Sequence, residues 1–238
     1  MALALFDLDD TLLAGDSATL WFHFMVTKGI APTAMLAEEE RMMACYYAGE
    51  LDMAEYMAFT LQPLAGRSSQ EVESWVQEFV SSMIPQRLFV EGLARIAWHR
   101  AQGDRVLIIS ASGEHIVKPI AALLGVNEVL AITLEQQGGV YTGQTRGVLS
   151  FREGKVTRLT DWMVQQGETL AGSSGYSDSI NDLPLLQAVE RPAVVNPAPR
   201  LLTQAQALGW RILTWQQTAL VEPGECHTAT GAPSTTDR

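Results

Sequence analysis

Positive charge is in short supply in this chain. Its 238 residues carry 16 Lys and Arg against 27 Asp and Glu, a formal net charge of −11. No basic stripe exists to follow a phosphate backbone or an anionic bilayer, which argues against nucleic acid and membrane surfaces as partners. Any site that holds an anion must create its own local positive potential. Cysteine is scarcer still, with Cys45 and Cys226 alone. Two thiols make neither a disulfide framework nor a thiolate metal site. Cys45 falls in an apolar helical stretch and is expected to be a packed thiol; Cys226 falls in the polar tail. No apolar run approaches the length that crosses a bilayer. The first residues show no basic n-region and no long apolar h-region. The expectation is a soluble, cytoplasmic protein. No internal repeat is evident.

What the chain does have is an ordinary globular make-up, 47% hydrophobic and 18% charged, and enough length for a core domain plus a smaller one. Its most informative stretch is the first: Met1-Ala-Leu-Ala-Leu-Phe-Asp-Leu-Asp-Asp-Thr-Leu12. The apolar run Leu3 to Phe6 reads as a buried strand, and it leads into two alternate carboxylates, Asp7 and Asp9. An unpaired buried carboxylate is costly, so acids at a strand end ask for a purpose. The carboxyl end of a strand is where open α/β sheets bind ligands. Two close carboxylates can hold a divalent cation or divide the roles of nucleophile and proton donor.

Three later segments point the same way. The run Arg105-Val-Leu-Ile-Ile-Ser110 ends in a hydroxyl and continues Ala111-Ser112-Gly113. Gly154-Lys155 opens a helical pattern with a lone lysine. Gly175-Tyr-Ser-Asp-Ser-Ile-Asn-Asp182-Leu-Pro carries acids at Asp178 and Asp182. Aspartates, hydroxyl, lysine, aspartates, in that order, resemble the haloacid dehalogenase-like hydrolases. The closest likeness is to their phosphoserine-phosphatase-like branch (subfamily IB), which carries a helical C1-type cap between its first two motifs. The resemblance covers residues 1 to about 215.

It implies an α/β fold, a parallel-sheet Rossmann-like core with an inserted helical-bundle cap. The local pattern agrees. Residues 2–8 read as the first strand. No strand pattern occurs between 17 and 84, where helices are expected near 17–28, 33–49, 52–64 and 69–84. Pro85 ends that insertion. A helix is expected over 88–101, a strand over 105–110 and a helix over 113–124 that Pro119 should kink or break. Residues 129–135 and 139–143 read as a hairpin, 154–166 as a helix, and 170–176 as a weak strand. Short strands at 193–195 and 210–213 flank a last helix. Alternating strands and helices imply a parallel sheet. The expected domains are a core of residues 1–16 and 85–220, a cap of residues 17–84, and a disordered tail of residues 221–238.

The resemblance also assigns roles. Asp7 would be the nucleophile, forming an aspartyl phosphate, and Asp9 the acid and base. Mg²⁺ would be held by Asp7, Asp178 and the backbone carbonyl of Asp9, with Asp182 supporting the metal waters or orienting Lys155. Lys155 would neutralise charge at Asp7. Ser110, with Ala111 and Asn181, would bind the phosphoryl group. Asp16 stands where relatives place a substrate-contacting acid, and it would equally serve as the N-cap of a helix. Those relatives also use a cap arginine for the serine carboxylate. The matching stretch here, Leu51-Asp-Met-Ala-Glu-Tyr-Met-Ala-Phe-Thr60, has none. His23 lines a pocket, packs or lies on the surface; His99 and His115 are expected on helix surfaces.

The implied activity is magnesium-dependent hydrolysis of a small phosphomonoester such as an amino-acid or amino-alcohol phosphate. A phosphotransferase with the same intermediate and a non-catalytic metal-binding regulator are the alternatives. The partner is a small-molecule phosphate ester.

Overall fold

The computed structural model describes residues 1–216. Six strands form one parallel sheet. They are β1 (Leu3–Phe6), β2 (Arg105–Gly113), β3 (Glu128–Ile132), β6 (Ser174–Ser177), β7 (Arg191–Val195) and β8 (Arg211–Leu213), in the order β3-β2-β1-β6-β7-β8. β1 lies between β2 and β6, where the strand order reverses. The carboxyl end of β1 therefore opens onto the crevice that such sheets use for ligands.

Side chains alternate across β1 as a strand requires. Ala4 and Phe6 join the larger apolar core, while Leu3 and Leu5 pack with Leu107, Ile109, Leu159 and Trp162 on the other face. Helices cover both faces: α5 (Val90–Ala101), α6 (Glu114–Leu123), α7 (Glu153–Gln166), α8 (Leu183–Ala188) and α9 (Pro199–Leu208).

Between β1 and α5 stand four helices, α1 (Ser17–Thr27), α2 (Leu36–Ala48), α3 (Met53–Thr60) and α4 (Ser69–Met83). Local chemistry sets their ends. The side chains of Asp16, Asp52 and Ser68 cap α1, α3 and α4 by accepting backbone N–H groups. Gly49, left-handed at φ 75°, ends α2. Trp21 stacks on Phe24 and meets Phe79 edge-on, at centroid distances of 5.5 and 5.4 Å. The insertion and the sheet domain share one continuous core.

A hairpin, β4 (Leu134–Gln137) and β5 (Val140–Thr145), reaches from the sheet domain to the insertion. Gly66 N–H donates to the Tyr141 carbonyl (2.9 Å), Tyr141 N–H to Arg67 (2.9 Å) and Ser69 N–H to Gly139 (2.7 Å). The link before α4 is thus clasped like a third strand.

Several expectations need adjustment. The run 129–135 is not one arm of a hairpin: it splits at Thr133, β3 joining the main sheet and β4 the hairpin. Pro119 does not break α6: it stands inside the helix, which forfeits one backbone bond there and continues to Leu123. β6 begins only at Ser174, since Gly172 at φ 71° turns the chain just before it. His99 is buried, not on the surface. Its Nδ1 lies 2.9 Å from Asp104 Oδ2 and its Nε2 2.8 Å from the Tyr176 hydroxyl. His115 turns inward too, its ring edge-on to Trp21 at 5.7 Å with both nitrogens buried and without a hydrogen-bond partner. Burial alone pushes its pKa down to about 3. His23, by contrast, is exposed on α1 and lines no cavity described below. Cys45 is half-buried against the core and forms no disulfide. Cys226 and the tail expected to be disordered lie outside the described residues. Among the described residues no helix is long and apolar enough to cross a membrane.

Candidate active site

Asp7 follows β1 directly, and its N–H still bonds across to the Tyr176 carbonyl at 2.9 Å. The next residues fold into a tight loop in which the N–H groups of Thr11, Leu12 and Leu13 all point at the Leu8 carbonyl. Asp10, at φ 51°, accepts the Gly15 N–H at 2.8 Å and closes that loop. The fold of the loop carries Thr11 back between two acids. Its hydroxyl donates to Asp178 Oδ1 (3.0 Å), accepts the Asp178 N–H (3.0 Å) and lies 3.4 Å from Asp7 Oδ2. Carboxylates from the first and sixth strands thus flank a single hydroxyl.

Asp9 is held differently. Its Oδ1 accepts the Ser17 N–H at the start of α1 (2.7 Å), and its Oδ2 accepts the Ser112 hydroxyl (2.9 Å), with Ser110 Oγ at 3.3 Å. The positive end of α1 adds to its hold. Ser110 is fully buried and accepts the Ser112 N–H at 3.0 Å.

Lys155 stands in the first turn of α7, buried, with Nζ 2.8 Å from Asp7 Oδ1 and 2.7 Å from Asp182 Oδ1. Gly154 has to precede it: a Cβ there would meet the Leu149 carbonyl oxygen at 2.0 Å. Asp182 also accepts the Ser177 hydroxyl at 2.8 Å. Of the two roles open to Asp182, the geometry matches the orientation of Lys155.

The remaining expected residues divide. Ala111 and Asp16 line a narrow cleft of about 20 Å³ together with Asp7, Asp9, Tyr46 and Tyr56. Asp16 also caps α1, accepting the Thr19 N–H at 2.7 Å. Asn181 stands apart from that cleft, at the seam between sheet domain and insertion. Its Oδ1 accepts Arg152 Nε (3.2 Å) and its Nδ2 donates to the Tyr46 carbonyl (3.4 Å). Arg152 also donates to the Gly49 carbonyl, and Arg200 to the Ala48 carbonyl. Three core side chains therefore hold the C-terminal end of α2. A wider opening of about 260 Å³, lined by Asp10, Tyr46, Tyr47 and Asp178, reaches the acids from outside.

Sequence reasoning passed over Ser112, Arg152, Glu39 and Tyr56. Two signals were present. Ser112 lies two residues beyond Ser110 on one strand. Glu39 stands three and four residues before Met42 and Met43, on the apolar face of α2.

The electrostatics are lopsided. Asp7, Asp9, Asp10, Asp16, Asp178 and Asp182 converge, and among the described residues Lys155 is the single cation that pairs with them. Burial first, then Asp182 and Asp9, push the Asp7 carboxyl above the usual range against the pull of Lys155. Asp178 is raised well above it by burial, Asp7 and Asp10, and Asp16 by burial and Asp9. Burial would lower the Lys155 ammonium, yet Asp182 and Asp7 hold it above its ordinary value. Raised carboxyls around one hydroxyl describe a place that gains from a dication. Among the described residues no three His, Cys, Asp or Glu side chains gather as a cage. Magnesium needs no such cage, since one or two carboxylates with water suit it. The donor set fits that ion.

Comparison with known proteins agrees. The model of the haloacid dehalogenase-like hydrolases matches residues 4–187. A histidinol-phosphatase of Neisseria meningitidis serogroup C (strain 8013) is 36% identical over 219 residues, 90% of this chain and 99% of that protein. A solved protein of unknown function from Bordetella pertussis Tohama I superposes with a TM-score of 0.83 at 39% identity, covering 89% of this chain and 97% of that one. A phosphoserine phosphatase solved as a phospho-aspartyl intermediate analogue has a TM-score of 0.67 at 18% identity, covering 91% and 94%, and so shares the fold. The chain belongs to the haloacid dehalogenase-like hydrolases, in their phosphoserine-phosphatase-like branch, and is by class a phosphatase.

Proposed function

We propose that the chain is a magnesium-dependent phosphomonoesterase that works through an aspartyl phosphate on Asp7, with amino-acid and amino-alcohol phosphates such as phosphoserine and histidinol phosphate as its substrate class. The single observation that carries the reading is the bond from Lys155 Nζ to Asp7 Oδ1 at 2.8 Å. It holds one carboxylate oxygen of a residue that lines the cleft and leaves Oδ2 with no contact but the Thr11 hydroxyl at 3.4 Å.

Asp7 Oδ2 attacks phosphorus, and the bond from phosphorus to the leaving oxygen breaks. Asp9 gives its proton to that oxygen, then takes one from the water that attacks the phosphoryl group and frees Asp7. The bonds from Ser17 and Ser112 fix the Asp9 carboxyl for both steps. Lys155 offsets charge as it builds on the phosphoryl oxygens, and Asp182 and Ser177 keep its ammonium in place. Ser110 and the backbone at Ala111 would donate to a phosphoryl oxygen. Asp7, Asp178 and the Asp9 carbonyl would hold Mg²⁺, which supplies the positive charge that lets a carboxylate approach a phosphate dianion.

The cleft at Asp7 is too small for a substrate, so residues 17–84 act as a cap that opens and recloses over it. Chemical trapping tests the intermediate. Borohydride added during turnover should reduce the acyl phosphate and convert Asp7 to homoserine, visible in the mass of its peptide. Steady turnover with no modified Asp7 peptide refutes the covalent route.

A further inference from the structure

One cavity away from the acids carries the opposite charge. It holds about 350 Å³ and opens where β3, the segment after β5 and α7 meet. It shares no lining residue with either opening at Asp7. Two arginines line it, Arg146 from the segment after β5 and Arg158 from α7. Among the described residues neither forms an ion pair. The chain has 27 acids to 16 bases, so two arginines left unpaired in one cavity need a reason.

Arg158 is the more telling of the two. It is half-buried, and burial lowers its pKa against the pull of Glu114. A charge withdrawn from water is costly unless it is paired. Its partners are neutral. Nη1 donates to the Val148 carbonyl at 3.1 Å, and Nη1 and Nη2 both reach the Thr133 hydroxyl at 3.4 Å. Glu114 is already engaged by the Lys118 ammonium at 2.5 Å and the Leu134 N–H at 3.3 Å. Arg146 is exposed next to this group, its backbone N–H fixed on the Thr133 carbonyl at 2.9 Å. Asp161 is the one acid in the lining; it is exposed and forms no ion pair among the described residues. Two guanidinium groups against one carboxylate leave the cavity with a net charge of about +1. Their N–H forks suit the oxygens of a phosphate, two at a time. Leu130, Val148 and Trp162 add an apolar wall beside them.

An occupant would be felt at the catalytic lysine. Arg158 follows Lys155 by three residues on α7, and the segment that carries Arg146 and Val148 runs directly into that helix. The turn between them is tight: a Cβ on Gly154 would meet the Leu149 carbonyl oxygen at 2.0 Å. An anion that draws Arg158 off the Val148 carbonyl therefore loosens the seat of the first turn of α7, where Lys155 Nζ bonds Asp7 and Asp182.

We propose that Arg146, Arg158 and the Thr133 hydroxyl form a second oxyanion site, remote from the nucleophile, that takes a phosphate dianion, free or as a monoester, and lowers turnover through α7. A phosphatase releases the first and consumes the second, so the site would sense its own product or an excess of its substrate.

Two probes test it. Phenylphosphonate joins the dianion to an apolar group and cannot be hydrolysed; inorganic phosphate is the dianion alone. Calorimetric titration of the metal-free protein at one fixed low salt concentration should show binding. Arg146→Gln changes an exposed side chain outside the catalytic machinery, so fold and uninhibited kcat should stand, while affinity should fall about tenfold, the size of one hydrogen bond to a charged group. Asp161→Asn removes the opposing charge and should tighten binding. Either probe behaving in this way supports the site, and the tighter one identifies ester or free ion as its ligand. In turnover assays with magnesium, phosphate should lower kcat as well as raise KM for the wild type, and only raise KM for Arg146→Gln. No binding to the metal-free protein, affinities unmoved by both substitutions, or inhibition that is purely competitive in the wild type overturns the proposal.

Discussion

Removing the Lys155 ammonium should expose how much of this site is held by one charge. Lys155 Nζ lies 2.8 Å from Asp7 and 2.7 Å from Asp182, and all three side chains are buried. Lys155→Met keeps most of the volume and leaves two carboxylates facing each other with no cation. Breaking a buried pair in this way costs about 3–5 kcal/mol. For a protein of this length each kcal/mol is about 2–4 °C in Tm, so the variant should melt about 6–20 °C lower at pH 8.

The cost should depend on pH, and its sign follows from proton linkage. Without Lys155 the folded-state pKa of Asp7 rises further above its unfolded value near 3.8. A raised carboxyl destabilises the fold above the unfolded pKa, increasingly as pH climbs towards the folded one, and costs nothing once both states carry the proton. Wild-type Asp7 is itself raised to about 8, so below that pH both folded proteins carry its proton and the difference between them is flat; at about 1.4 kcal/mol per pH unit the loss should widen by up to about 1 kcal/mol from pH 8 to pH 9. Thermal melts of wild type and variant at the two pH values, both in chelator so that no metal replaces the ammonium, measure this directly. Adding Asp182→Asn to Lys155→Met should raise Tm at pH 8 above that of the single variant. A Tm loss that does not widen from pH 8 to pH 9, or one under about 2 °C at pH 8, refutes the view that Lys155 serves as a buried counter-charge.

Other outcomes follow from the same geometry. Asp9→Asn should slow aspartyl phosphate formation strongly for alkyl esters and weakly for nitrophenyl phosphate, whose leaving group scarcely needs a proton. A nitrophenolate burst near one per site, then a slow phase, should appear by rapid quench; equal impairment of the burst with both leaving groups would make Asp9 structural. Chelator should abolish turnover and magnesium restore it, while calcium inhibits because its larger, looser shell misplaces the nucleophile; full activity in chelator removes the metal from the scheme. His115, held neutral with a pKa near 3, should cost stability as pH falls below about 6.5, where the unfolded chain takes a proton that the folded chain refuses. The loss is about 3 kcal/mol by pH 4.5, so His115→Phe should lose less stability than wild type between pH 7 and 4.5 in urea titrations.

The parts of the site that could be read in advance are those whose meaning is local. Leu3 to Phe6 had to be a buried strand, and a strand buried on both faces can place acids only at its end, which makes Asp7 and Asp9 visible at once. Gly154-Lys155 and the Asp178 to Asp182 turn are legible for the same reason: each is a short backbone event with a residue type that the event requires. The helices of the insertion were legible from Asp16 before the first of them and from helical spacing with no strand pattern between residues 17 and 84. The run 129–135 was misread because an unbroken β-prone stretch does not announce that its two halves serve different sheets.

What could not be read is what depends on residues distant in the chain. Arg152 looks like any charged residue before a helix until Gly49 and Asn181 are found within its reach. Glu39 lies in a Glu-Glu-Glu run whose plainest reading is a solvated face, and only the phase of α2 shows that the middle one turns inward. His115 follows Gly113-Glu114 at a helix start, a surface position by pattern, yet the insertion closes over it. In each case the sequence specifies the side chain and the tertiary contact specifies its electrostatics. That division explains why the chemistry of the site could be argued from motifs while its selectivity could not. Phosphoryl transfer needs groups that one sheet edge supplies. Asp16, at the start of α1, and Tyr56, of α3, meet at the cleft only through the tertiary fold of the insertion.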